Sequence, residues 1–262
     1  MRDFKNPHYN GKDCVCCKPK EQEMSKDVPK IKYRSDVTVE LIDVMASDDA
    51  VVRAARVSTG ANAKKIVDTS KDSGLINYLM RDRHGSPFEH NAFTFYIEAP
   101  IFVFREFQRH RIASYNEESA RYKEIEPVFY IPSVKRKLVQ VGKVGAYEFE
   151  QGTLGQLSKV YCSTYNANIS AYVEYQNMLD AGVAREVARG VLPVNIYSSM
   201  YVTMNARALM NFLSLRTTRE GTTFPSFPQR EIEMVAEQME EWFEVEMPMT
   251  YKAFNKNGRV AP

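Results

Sequence analysis

Apolar positions recur at two spacings along this chain, and the change from one to the other marks out its elements. The first 36 residues follow neither. They are polar, Lys-rich and unpatterned, and read as a mobile or loosely docked tail. Order is expected to begin near Val37, where Val37-Thr38-Val39-Glu40-Leu41-Ile42-Asp43-Val44 reads as a strand. Asp48-Asp49 supplies an N-cap for a helix over 50–57, and a second helix fits 73–83 with Gly85 placed to end it. Phe93-Thr94-Phe95-Tyr96-Ile97 is β-rich, and Pro100 closes it and opens a helix from Ile101 to about Gln108.

Val128-Phe129-Tyr130-Ile131 is a further strand candidate, and 133–147 looks like an exposed loop. The longest periodic segment runs from Thr153 to about Ala181, with Leu157, Val160, Tyr161, Tyr165, Ile169, Tyr172 and Val173 at helical spacing and Gly182 as punctuation. A short helix follows over 184–191. Ile196 to Thr203 is a strand or a helix start, 206–215 forms a helix, 221–228 is a Gly/Pro loop, and 229–243 is the last clear helix. Strands and helices alternate without internal repeat, which predicts an α/β or α+β class: residues 37–262 as one domain, a mixed sheet packed by long helices, behind a 1–36 tail.

Composition changes this picture little. The 262 residues are 44% hydrophobic and the net charge is +2, so a core is affordable and a general nucleic-acid or membrane-surface binder is disfavoured. No apolar run reaches about 18 residues and Met1-Arg2-Asp3-Phe4-Lys5 lacks a signal-peptide core, so a cytoplasmic location is expected. Cys14, Cys16 and Cys17 with His8 have irregular spacing for zinc and read as exposed thiols; no metal is expected. No G-x-G-x-x-G or G-x-x-x-x-G-K-[ST] is present. Any nucleotide phosphates must therefore be held by side chains.

Candidate chemistry concentrates in 84–121. His84, His90 and His110 lie there, with Arg105, Arg109, Arg111 and Arg121 beside the apolar run Ile101-Phe102-Val103-Phe104. Burial of that run puts the arginines at an edge or pocket, where guanidinium groups suit phosphate oxygens. The alternative is an ion-pair network with Glu106, Glu117, Glu118 and Glu124. The helix is expected to end near Gln108–Arg109, with 115–119 as a loop. Downstream, Arg185 and Arg189 share a helical face, as do Asn205 and Arg216; capping and a core hydrogen bond are the alternative for Asn205 and Asn211.

Arg109-His110-Arg111, seven further residues and Ser119, within Phe107-Gln108-Arg109-His110-Arg111-Ile112-Ala113-Ser114-Tyr115-Asn116-Glu117-Glu118-Ser119-Ala120-Arg121-Tyr122, resembles the signature of the flavin-dependent thymidylate synthases. Other blocks resemble that family in the same order: Val52-Arg53-Ala54-Ala55-Arg56-Val57-Ser58, His84-Gly85-Ser86-Pro87-Phe88-Glu89-His90, Arg185-Glu186-Val187-Ala188-Arg189 with Leu192-Pro193, and Asn205-Ala206-Arg207 through Asn211 to Arg216. The resemblance implies a homotetramer that binds FAD, dUMP, methylenetetrahydrofolate and NADPH. It implies reductive methylation of dUMP to dTMP without a cysteine nucleophile.

By the same resemblance, Ser86, Arg109, His110, Arg111, Glu117, Asn205, Ala206, Arg207 and Asn211 correspond to FAD contacts, and His84 to a histidine near the flavin ring. Arg105, Glu106, Phe107, Gln108, Arg109, Glu117, Glu118, Ser119, Ala120, Arg121 and Arg189 correspond to the dUMP set, with Arg121 and Arg189 at the phosphate. Arg216 corresponds to the residue facing the pyrimidine, where a fixed cation stabilises charge on the N3/O4 side. Ser119 resembles a hydrogen-bonding hydroxyl near the substrate. Residues 217–228 look longer than in familiar members. Two rivals are weighed against this: a metal-dependent hydrolase using His84, Glu89, His90 and His110, and a nucleic-acid-binding module using the arginines and tyrosines.

Overall fold

The computed structural model describes residues 30–58, 60, 69–143 and 146–262; the cysteine and histidine positions of the tail lie outside them. In chain order the elements are β1 (Lys32–Arg34), β2 (Thr38–Met45), α1 (Asp48–Val57), α2 (Thr69–Arg81), β3 (Ala92–Pro100), α3 (Ile101–Phe107), β4 (Ser114–Glu117) and β5 (Val128–Tyr130). Then follow β6 (Val139–Lys143), β7 (Ala146–Glu150), α4 (Leu154–Asp180), α5 (Arg185–Ala188), β8 (Tyr197–Met204), α6 (Ala206–Arg216), α7 (Arg230–Glu246) and α8 (Pro248–Lys256). The class is α+β. Two compact units form, one from 36–118 and 197–262, the other from 30–35, 119–142 and 147–196. No described helix is long and apolar enough to cross a membrane.

The first unit is built on a four-stranded sheet in the order β2-β3-β8-β4, antiparallel throughout. Its strands alternate because one face is buried. Phe93, Phe95 and Ile97 of β3 and Met200, Val202 and Met204 of β8 point into the core with the apolar sides of α3, α6 and α7. On the other face Thr94 meets Thr203 at 3.0 Å and Tyr96 meets Tyr201 edge-on. The uncertain 196–203 segment is thus a strand, its alternation satisfied by pairing on both sides. Residues 115–119, expected as a loop, include β4, because Tyr115 and Asn116 pair with Val202 and Tyr201 of the distant β8.

In the second unit the expectation over Thr153 to Ala181 holds to the residue. Thr153 caps α4 in a reciprocal box with Gln156, and the chain leaves after Ala181 through Gly182 at φ 80°. Tyrosines on α4 anchor the segment that follows the arginine motif. Tyr172 donates to Ile125 O at 3.1 Å, Tyr161 donates to Pro132 O at 2.8 Å, and the Tyr175 hydroxyl accepts from Ile125 N–H at 3.3 Å. Each ring is packed while its hydroxyl is satisfied. β5 runs parallel to β1, so parallel and antiparallel pairings both occur, in separate sheets.

Five features differ from the sequence expectation. Lys32–Arg34 is a strand inside the supposed tail: three residues carry no readable period, and their partner lies at Val128–Tyr130. Strand β6 and the start of β7 lie in the supposed 133–147 loop and pair with each other, β7 running on to Glu150. Ser47, not Asp48-Asp49, caps α1 by accepting from Ala50 N–H. Helix α2 is ended by Arg83 at φ 64°, not by Gly85, and α8 follows the helix expected to be last.

Candidate active site

Pro100 ends β3 and leads directly into α3, which stops at Phe107 with Gln108 as its cap. Phe107 is fully buried and stacks on Phe212 of α6 with ring centres 4.8 Å apart. Its side chain is therefore core, and only its backbone faces the motif. The Phe107 carbonyl accepts from His110 N–H at 2.8 Å and from the Tyr115 hydroxyl at 2.9 Å; that hydroxyl also lies 2.6 Å from His110 O. Tyr115 thus pins the turn that carries Arg109-His110-Arg111. No local pattern in the chain indicates this, since the bond depends on β4 folding back.

The centre of the arrangement is Arg216, the last residue of α6. Its Nη1 donates to Glu106 Oε2 at 2.6 Å and its Nε donates to His110 Nε2 at 3.1 Å. Both partners of the ion pair are shielded, with side-chain exposures of 18% and 23%. The His110 ring also meets Phe212 edge-on at 4.9 Å. Burial, reinforced by the Arg216 cation, pushes His110 down to about 4 from 6.5. The ring is neutral at pH 7, so Nε2 accepts and Nδ1 carries the proton. Glu106 is raised by burial, with Arg216 opposing and Glu231 adding to the rise.

The expected alternative of motif ion pairs is decided residue by residue. Glu106 is taken by Arg216, Glu118 by the Ser199 hydroxyl at 3.0 Å, and Glu124 by Gln176 at 2.5 Å. Arg105, Arg109 and Arg111 are exposed and have no acidic partner among the described residues. Three guanidinium groups without acidic partners, beside the partly buried Arg216, have the chemistry that suits phosphate oxygens, as the apolar run and the missing glycine loops led one to expect.

The flavin-contact candidates separate into free and committed groups. Asn205 caps α6, its Oδ1 accepting from Ala208 N–H at 2.9 Å, which leaves its Nδ2 for a ligand. Ala206 is fully buried and its amide donates to Asn91 Oδ1 at 2.6 Å, so that donor is already used. Arg207 pairs with Glu89 at 2.6 Å and packs against Gly85, where a Cβ would sit 2.6 Å from its Nε. Gly85 therefore serves close approach rather than helix termination. Ser86, Asn211 and His84 are exposed, and His84 stacks on Tyr78 at 5.6 Å. Asn91 and Tyr78 are supporting residues that local pattern did not single out, and Glu89, weighed from the sequence as a metal ligand, instead holds Arg207.

In the second unit Arg121 Nε donates to Glu186 of α5 at 3.1 Å, with both side chains about half exposed. Arg189 is exposed and without an acidic partner among the described residues. Ser119 Oγ accepts from Arg121 N–H at 3.3 Å; its shown contact is with backbone and not with a base. Ala120, Gln108 and Glu117 are at least partly open to solvent, and Glu117 has partners of its own. The hydrolase rival loses its ligands: His110 Nε2 and Glu89 are engaged by arginines, and no three metal-binding side chains cluster among the described residues. Cys162 is buried in α4.

A model of the family described as thymidylate synthase complementing protein matches residues 40–249. A flavin-dependent thymidylate synthase of Streptomyces coelicolor is 59% identical over 246 residues, covering 92% of this chain and 99% of that one. Two crystal structures of PolB from Streptomyces cacaoi, a UMP/dUMP methylase, superpose with 55% identity. The one bound with 5-Br UMP has a TM-score of 0.84 and covers 89% of this chain and 100% of that one. The one bound with 5-Br dUMP has a TM-score of 0.85 and covers 88% and 100%.

Proposed function

Because the chain belongs to the flavin-dependent thymidylate synthase family, we propose that Arg216, fixed by Glu106 and His110, is the cation that serves the pyrimidine of its substrate. The reaction is the reductive methylation of dUMP to dTMP, with methylenetetrahydrofolate as carbon donor and FAD with NADPH as reductant. No enzyme cysteine attacks the uracil ring. FAD, when bound, supplies the hydride that completes the methyl group.

The observation that carries this reading is the set of bonds on Arg216. A guanidinium held from two sides needs no reorganisation when charge develops on the N3/O4 edge of uracil. Neutral His110 adds no competing charge, and its acceptor nitrogen orients the arginine. Arg121 and Arg189 hold the dUMP phosphate, the first by exchanging its exposed Glu186 partner for the phosphate dianion. Arg105 with Glu106 through Gln108 and Glu117 through Ala120 complete the dUMP set, Ser119 as a hydrogen-bonding hydroxyl.

The donor set fits a flavin dinucleotide. Unpaired Arg109 and Arg111 suit its diphosphate, and Asn211, Ser86 and the Asn205 Nδ2 offer further polar contacts. His110, Glu117, Ala206 and Arg207 belong to the same set by the family resemblance, and exposed His84 on Tyr78 gives an aromatic surface for the ring system. A homotetramer is the assembly we assign from the family, in a protein that works in the cytoplasm.

The test is dTMP formation by purified protein given dUMP, methylenetetrahydrofolate, NADPH and FAD. Product that depends on FAD is expected; a protein that neither binds FAD nor forms dTMP overturns the reading. UMP as an additional acceptor is a second reading, favoured by 55% identity to a protein described as a UMP/dUMP methylase. The same assay with UMP decides it, since absence of methylated UMP rejects that reading and leaves the first intact.

A further inference from the structure

We propose that Arg259 and Glu240 position Arg216 through the hydroxyl of Thr217, which makes Thr217 a positioning residue for the methylation step; the inference rests on the role assigned to Arg216. Thr217 follows Arg216 at the end of α6 and is 1% exposed. Its hydroxyl donates to Leu213 O at 2.7 Å and accepts from Arg259 Nη2 at 2.9 Å. Its N–H donates to Leu213 O at 3.1 Å, and its carbonyl accepts from the Ser226 hydroxyl at 2.8 Å. Every hydrogen-bonding group of the residue beside Arg216 is therefore engaged.

The anchor is itself fixed. Arg259 is 3% exposed, its Nη1 donates to Glu240 Oε1 at 2.6 Å, and its guanidinium lies over the Phe254 ring at 4.8 Å. The other Glu240 oxygen accepts from Arg219 at 2.9 Å, so the two arginines clamp one carboxylate. Arg259 adopts a left-handed φ of 56°, next to Gly258 at 72°, and the Gly258 carbonyl accepts from Thr223 N–H at 2.9 Å. The 217–228 stretch that looks long beside familiar family members is thereby tied to the turn after α8 at two places.

Helical support ends where precision is needed. The backbone turns extended at Thr217, φ −126° and ψ 146°, so no further helical turn holds Arg216 from behind. Apart from Arg259 Nε, which has no partner among the described residues, the polar groups of this buried network are each engaged, and such a network favours one geometry where an apolar contact does not. A shift of the last α6 turn moves the guanidinium relative to Glu106 and His110, and misplacement of about 1 Å costs on the order of 10²-fold in rate.

Thr217→Val keeps the shape and removes the hydroxyl; Thr217→Ser keeps the hydroxyl. Steady-state kinetics, FAD content and thermal stability are measured for both, with Arg216→Ala alongside. The expected result is a fall in kcat of about tenfold or more for Thr217→Val, with dUMP KM and FAD content within about twofold of wild type, and recovery in Thr217→Ser. Wild-type turnover in Arg216→Ala overturns the role of Arg216 and this inference with it. An inactive Arg216→Ala beside a fully active Thr217→Val overturns the positioning inference alone. Equal impairment of the Val and Ser variants also overturns it, because packing would then be the cause. If Thr217→Val does not fold, Arg259→Lys is read instead. Lysine keeps the charge on Glu240 but lacks the fork that reaches Thr217, so reduced kcat supports the proposal and wild-type kcat overturns it.

Discussion

His110 illustrates how one side chain acquires its chemistry from neighbours far away in sequence. Its identity and its place in the arginine motif were readable in the chain. Its neutrality was not, because that depends on Phe212 and Arg216 closing over the ring. The effect on stability has a definite sign. The folded imidazole titrates at about 4 and the unfolded one at about 6.5, so the unfolded chain takes up the proton first. Acidification between those values therefore favours unfolding, and above 6.5 the group adds no pH dependence. Glu106, raised above 4.5, has the opposite sign and offsets part of this loss. Thermal melts of wild type and His110→Gln across pH 7 to 4 test it: the wild type should lose more of its stability than the variant. Parallel curves would contradict the shift. The arginine cluster was legible because its apolar flank had to be buried. Which arginine stayed unpaired was not, since Glu106 chose a partner 110 residues away.

At the scale of elements, local signals located most helices and strands and failed where pairing or capping is long-range. The α4 boundaries were legible because Thr153 with Gln156 and Ala181-Gly182 are local instructions. β1 and β4 were missed because a strand of three or four residues is made by its partner. Asp48 shows the same limit for a cap. It sits in the first turn of α1, as its position suggested, but its carboxylate accepts from Met249 N–H at 2.7 Å, Thr250 N–H at 2.8 Å and the Thr250 hydroxyl at 2.6 Å. It thus caps α8 and joins the two ends of the first unit. Asp48→Ala should cost about 1–2 kcal/mol, which is about 2–4 °C in Tm per kcal/mol. A melting temperature equal to wild type would show that the cap contributes nothing.

For the molecule as a whole, the family blocks in the sequence anticipated the activity, while the bonds among them emerged only with the fold. Arg216 lies on α6 and its partners on and just after α3; they meet because β3 and β8, which precede those helices, are neighbours in the sheet. The sheet thus turns two separate sequence blocks into one fixed cation. The role proposed for that cation in methyl transfer is tested most directly by dTMP formation in Arg216→Ala loaded with FAD. A folded, flavin-binding protein is expected whose kcat falls about 10²–10³-fold, the usual loss when a preorganised stabilising donor is removed. Turnover at the wild-type rate in a variant that retains its fold and its flavin would contradict that role.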